Sequence, residues 1–350
     1  VPETILGSFS GPLERSSLNG NLGGRFDLTV SKAGTFSGSV MFGALKRSFR
    51  SQLLLSAGQG DAILRGNIND LKLADRTPVT AYVEFFVPDQ TARLTLVHPN
   101  GTTLLGTGWR KTTPAVARTF NFRLAQLYVS TAPQGYGFGS FKISTSNSLR
   151  FTGKLPDGTS LTSSTFIGPS GQVLVFQLLY VSKGSLVGEC QITGNDLGGN
   201  VSWLRPATSG TVYKDGFGPL PVFIQGGVYA PPTAGQVVMQ ANSELSFSDG
   251  GLTSSFDQLV TIASPGATSL INTAKPNTPL VNNTKITKFD VKTGAMTGSF
   301  TIGTRVAPFS ALLVKIGLTT EAYGYFLLPT GVPNNTTSPK LSGKVALGVP

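Results

Sequence analysis

Hydrophobic and polar residues alternate along most of this chain with a period of two. In residues 25–30, Phe26, Leu28 and Val30 alternate with Arg25, Asp27 and Thr29. In residues 35–40, Phe36, Gly38 and Val40 share one face, and Thr35, Ser37 and Ser39 share the other. Such alternation gives an antiparallel strand one apolar face. The separator 31–34 ends in Gly34, which supplies the positive φ of a hairpin turn. The same reading predicts hairpins from residues 141–145 with 149–155 and from 290–292 with 295–301. Spacing of the helical kind is nearly absent, and residues 68–75 are the best short-helix candidate. Counting alternating runs between turns predicts about twenty or more strands of roughly five to six residues. The fold class that follows is all-β and antiparallel: two barrel or barrel-like sandwich domains built from repeated hairpins.

Self-comparison adds a repeat. Phe36-Ser37-Gly38-Ser39-Val40 followed by Gly43 matches Phe151-Thr152-Gly153-Lys154-Leu155 followed by Gly158, at an offset of 115. A third copy, Met296-Thr297-Gly298-Ser299-Phe300 followed by Gly303, stands at offset 260. The outer apolar residues and the central glycine point to one face. The missing side chain leaves room for a ring from a facing strand, or lets the strand coil tightly. Gly and aromatic residues also alternate in residues 7–11, 135–139 and 323–326, as suits bent strands that close a barrel. Pro308 breaks the second strand of the third copy. Turn-rich segments place domain limits at 1–130 and 131–350, with a further split near 206–235. Residues 264–284, rich in Pro, Asn and Thr, read as a long loop.

Composition narrows the function classes. Charged residues are 13% of the chain, against roughly 25% in an average globular protein. Hydrophobic residues are 39%, too many for a disordered chain. No stretch reaches the ~18 apolar residues of a membrane helix, and the most apolar runs, 173–181 and 311–318, are short. An outer-membrane barrel would need strands of ~9–11 residues with aromatic girdles, and these strands are shorter and broken by Pro. The net charge is +11. Divided at residue 130, it splits into +6 and +5, with no basic tail, so nucleic acid is not the expected partner. A spread basic surface suits acidic polysaccharide or cell-envelope components.

Candidate chemistry is sparse. One His and one Cys exclude most metal clusters and His-based catalysis, so no cofactor or metal is expected. His98 precedes an Asn-Gly turn, where a satisfied surface His is the default. Cys190 reads as a buried strand thiol. No Gly-x-Ser-x-Gly elbow sits on a strand-to-helix turn. Glu84 and Glu189 lie on expected strands, and nothing in the sequence sets two carboxylates opposite each other as glycoside hydrolysis needs. Trp109, beside Arg110 and Lys111, and Trp203 are the candidates for stacking on a sugar; both types also suit a core. The chain starts at Val1 without a Met or an apolar leader, which is expected of a mature product or an excised piece.

In order, Gly7–Gly11, Phe26–Gly43, the Gly135–Gly139 alternation with Phe151–Gly158, residues 197–206, Tyr229–Pro232, residues 292–300 and Tyr323–Phe326 resemble a family. It is a glycine- and aromatic-rich β-hairpin module found near the C-termini of large exported surface proteins of Verrucomicrobia and related bacteria. The likeness spans nearly the whole chain. It implies an extracellular or cell-surface location and a structural or adhesive role without catalysis, and it supplies no catalytic residues. Two alternatives remain open: a carbohydrate-active enzyme using an Asp/Glu pair, and a subunit that self-assembles through edge strands into a surface layer or filament.

Overall fold

The computed structural model describes residues 1–54, 62–112, 116–233, 243–262, 270–271, 281–330 and 338–348. Most of the loop expected at 264–284 lies outside the described residues. The chain forms three eight-stranded antiparallel sheets, two nearly closed into barrels and the third a half-barrel. The first sheet holds β1 (Gly7–Leu13), β2 (Gly24–Val30), β3 (Thr35–Phe42), β4 (Leu45–Gln52), β5 (Ile63–Ile68), β6 (Thr80–Phe86), β7 (Thr91–Val97) and β8 (Thr103–Arg110). The second holds β9 (Arg118–Gln126), β10 (Gly137–Ile143), β11 (Leu149–Lys154), β12 (Ser160–Thr165), β13 (Gln172–Leu179), β14 (Gly184–Thr193), β15 (Asp196–Arg205) and β16 (Phe217–Val228). The third holds β17 (Ser243–Asp249), β18 (Phe256–Ile262), β19 (Leu270–Ile271), β20 (Lys285–Asp290), β21 (Ala295–Ile302), β22 (Arg305–Ile316), β23 (Thr319–Pro329) and β24 (Lys340–Gly348).

All three sheets pair their first strand with their eighth. The order runs 4-3-2-1-8-7-6-5 in the two barrels and 3-2-1-8-7-6-5-4 in the third sheet. The gap in the ring therefore falls between the fourth and fifth strands of each barrel, and between the third and fourth strands, β19 and β20, of the third sheet. In the first barrel a Leu54–Arg65 bridge crosses it. In the second an Ile167–Val173 bridge crosses it, and the Gln177 side-chain oxygen accepts from the Thr162 amide at 2.7 Å. Residue 131 falls between β9 and β10, inside the second sheet, and the segment near 206–235 contains that sheet's last strand.

Each sheet wraps its own core. Phe9, Phe26, Phe36 and Phe85 fill the first, and Phe36 meets Phe85 edge to face at 5.8 Å. Phe122, Phe141 and Phe151 fill the second, with ring centroids 4.9–5.4 Å apart. Phe247, Phe300, Phe309 and Phe326 fill the third. These distances fall in the range that aromatic pairs prefer.

The glycine motif behaves differently from copy to copy. Gly38 and Gly153 both lie on a third strand, β3 and β11. There a side chain would strike backbone: the Asp27 carbonyl at 2.0 Å and the Phe138 carbonyl at 2.4 Å. Close backbone approach, not a covering ring, is what these two require. Gly298 lies on β21, the fifth strand of its sheet, where the Phe309 ring does sit over it at 2.3 Å. The third copy is thus not equivalent to the other two. The hairpins themselves superpose at an offset of 113, because Val30 pairs with Phe36 and Ile143 with Leu149. The two-residue difference from the letter repeat keeps every side chain on its face.

Three local expectations are corrected. Residues 69–75 contain no helix; β5 ends at Ile68, and Leu71 and Leu73 turn inward to the first core. Residues 291–292 belong to the turn after β20, not to a strand. Pro308 sits inside a continuous β22, opposite Ser299 of β21, and pairing with β23 begins only at Phe309. At Pro308 the strand has one neighbour, so the missing N–H breaks no ladder.

Candidate functional site

Outward faces of the strands decide where the three sheets touch. β13 buries residues on both faces: Val173 and Val175 point into the second barrel, while Leu174 and Phe176 point out. The outward pair packs with Val187 against Trp109 and Met41 of the first barrel. Trp109 leaves β8 on its outer face, since Leu104, Gly106 and Gly108 occupy the inner positions, and it is 2% exposed. Its indole N–H has no hydrogen-bond partner. Arg110 turns back on its own barrel, donating to the Leu6 carbonyl at 2.5 Å and to Gln90 at 3.1 Å. Lys111 is half-buried at the exit of the barrel. Trp203 lies inside the second barrel, 0% exposed, edge-on to Phe217 at 4.6 Å. The structure therefore does not bring the two indoles together, and neither presents a ring to solvent.

Beside the Trp109 contact, the first and second barrels leave a groove of about 520 Å³. Glu14, Arg15, Arg93 and Leu105 line it from the first barrel, and Glu189 and Ser202 from the second. Arg15 forms the back of the groove. Its five N–H groups donate to the Asn21 carbonyl and to the hydroxyls and carbonyls of Ser185 and Ser202, at 2.6–3.2 Å. Burial lowers its pKa to about 10, and it stays charged at neutral pH. With every donor engaged, Arg15 joins the barrels and has none left for a ligand. Two glutamates do reach this groove, one from each barrel, but no aromatic side chain lines it.

A second polar cluster plugs one end of the second barrel. Asp157 is fully buried and paired with the Arg205 guanidinium. Its carboxylate also accepts from the Tyr180 hydroxyl at 2.6 Å and the Thr159 amide at 2.9 Å. The Tyr180 oxygen accepts from the Trp203 indole at 3.1 Å, and Arg205 stacks over the Tyr180 ring at 4.6 Å. Burial, then the Asp157 charge, pushes the Tyr180 pKa upward. Every group has a partner, so the cluster seals the barrel without offering a free acid or base. His98 accepts the Asn100 amide at 3.2 Å within its turn. Cys190 is buried in the second core, where desolvation raises its pKa. Among the described residues no group of three His, Cys, Asp or Glu is placed to hold a metal.

The third sheet docks on the second through β22, the other strongly apolar run. Asn121 of β9 is fully buried and donates to the carbonyls of Thr293 and Leu313, both at 2.9 Å, while accepting from Ser140. Arg123 stacks on Tyr323 at 4.3 Å and on Tyr136 at 5.6 Å.

The sequence reading missed a concentration of charge. Residues 90–188 carry nine basic residues and one acidic residue, the sealed Asp157. Dividing the chain at 130 halves this window and hides it.

No family model matches the chain, and no curated protein matches it. Three solved structures show distant likeness. Intact transferrin binding protein B with its N and C lobes, Ap-TbpB, shares 8% identity over 98% of this chain and 76% of its own, with a TM-score of 0.23. A double mutant of the vaccine antigen transferrin binding protein B from Haemophilus parasuis shares 9% over 97% and 74%, at 0.22. A DUF3598-family protein of unknown function from Nostoc punctiforme shares 8% over 98% and 95%, at 0.16. At these TM-scores the reading of function rests on this chain's own geometry.

Proposed function

We propose that this chain is a non-catalytic extracellular module of a bacterial surface protein, a row of joined barrels that holds or contacts other components of the envelope. The observation that carries the reading is how the interiors are filled. Phenylalanine rings occupy all three cores, and the one fully buried carboxylate among the described residues is neutralised by Arg205. Contacts with a partner are therefore left to outer surfaces. The resemblance to hairpin modules of exported proteins supports the same reading.

The reading is tested by incubating the full chain with neutral and acidic polysaccharides and measuring new reducing ends. None is expected. Release of reducing ends that Glu14→Gln or Glu189→Gln abolishes would replace this reading with the carbohydrate-active alternative. Self-assembly is favoured by one feature: β19 and β20 each pair on one side only among the described residues. Light scattering over a range of concentrations separates assembly from a strict monomer.

A further inference from the structure

We propose that the outward face of β10, β11 and β12 is a binding surface for a linear anionic polysaccharide. The three strands are in direct register, and their outward side chains form a grid. Lys142, Arg150 and Ser164 make its first row, Ser140, Thr152 and Thr162 its second, and Phe138, Lys154 and Ser160 its third. Lys142, Arg150 and Lys154 are all exposed, and none has an ion pair or hydrogen bond among the described residues.

The arrangement is costly for a surface with no ligand. Lys142 and Arg150 stand directly opposite each other, and like charges in that position destabilise a sheet. No carboxylate relieves them. Strands β9 to β12 contain no Asp or Glu. Asp157, three residues beyond Lys154, is sealed with Arg205, and Asp27 is held by Arg25 at 2.5 Å. Arg25, neutralised by Asp27, also reaches the Ser164 carbonyl at 3.3 Å where the first barrel abuts the grid.

The grid's chemistry selects among anions. Arg150 and Lys154 lie four residues apart on β11, about 13 Å along the strand, so one small anion does not span them and a polymer does. The hydroxyls of Thr152, Ser160 and Ser164 make no intramolecular hydrogen bond among the described residues, and they match sugar hydroxyls as well as carboxylates or sulfates. Bases of a single-stranded nucleic acid would want exposed rings to stack on. The grid's one ring, Phe138, is already stacked on Tyr325 at 6.0 Å. The inference rests on the non-catalytic reading only in taking the polymer to be held and not cut.

Titration calorimetry with the full chain tests it, using dextran sulfate and polygalacturonate as probes, with neutral dextran, a DNA oligonucleotide and phosphatidylglycerol vesicles as comparators. Both acidic polysaccharides are expected to bind, dextran is not, and affinity falls as salt shortens the screening length. The exposed triple variant K142Q/R150Q/K154Q should keep its circular dichroism and bind at least about tenfold more weakly. K285Q/K288Q/K292Q removes the same charge from the third sheet and should change affinity by less than about threefold. Equal losses in the two variants, no binding of either acidic polysaccharide, or binding of only DNA or vesicles would overturn the proposal. Cleavage of a bound probe would instead sink the non-catalytic reading and leave the binding face standing.

Discussion

Tyrosine burial sets the alkaline limit of this protein. Burial pushes Tyr213 and Tyr229 up to about 12, and it raises Tyr180, Tyr323 and Tyr325 as well. An unfolded chain releases those protons near its ordinary value of about 10. Above that pH the folded state binds more protons than the unfolded state, so stability falls as pH rises. Arg15, lowered to about 10, acts in the opposite direction but is one group against five. Alkaline titration followed by tyrosine absorbance should show these five ionising together with loss of the β-sheet circular dichroism. Smooth ionisation well below the unfolding pH would contradict it. At this scale the sequence was partly legible. The spacing around Cys190 marked a buried strand position, and the Asn100-Gly101 turn that follows His98 marked that side chain as satisfied. Exposure of Trp109 and Trp203 was not legible, because period-two patterning says which face a residue takes and not what covers that face.

Strands that are apolar on one face close the barrels; strands that are apolar on both join them. β13 and β22 coincide with the two most apolar runs of the chain, and each covers a neighbour with its outer face. The runs were visible as sequence, but their reason was not, since a strand buried on both sides reads like any short apolar segment. Pro308 shows the converse. Its ring forbids a ladder bond, yet it is tolerated because β23 has not yet joined β22 at that point. The glycine motif is testable here too. At Gly298 a methyl group would meet the Lys285 carbonyl at 2.2 Å and the Phe309 ring at 2.3 Å. Gly298→Ala is expected to cost about 1–3 kcal/mol by overpacking, read as a lower urea midpoint with an unchanged slope. An unchanged midpoint would mean that the third sheet yields more easily than its packing implies.

The whole molecule is a series of three sheets that each pair their first strand with their eighth, held in place by a few polar staples between apolar contacts. Arg15 is the staple between the first two barrels. Arg15→Ala removes four hydrogen bonds across that joint and leaves both phenylalanine cores untouched. Small-angle scattering of the variant should show a broader distribution of shapes, with near-normal circular dichroism. A profile identical to the original would show that the Trp109 cluster and the remaining contacts hold the joint without Arg15. Alternation, turn glycines and aromatic content were enough, in the sequence itself, to dictate antiparallel hairpins curling around ring-filled cores, because a strand's facing depends only on neighbours along the chain. Tertiary structure alone decided that first and eighth strands meet in every sheet, that both indoles are covered, and that scattered lysines and arginines converge on one carboxylate-free face. Those outcomes depend on which distant strands become neighbours, and no local spacing encodes that.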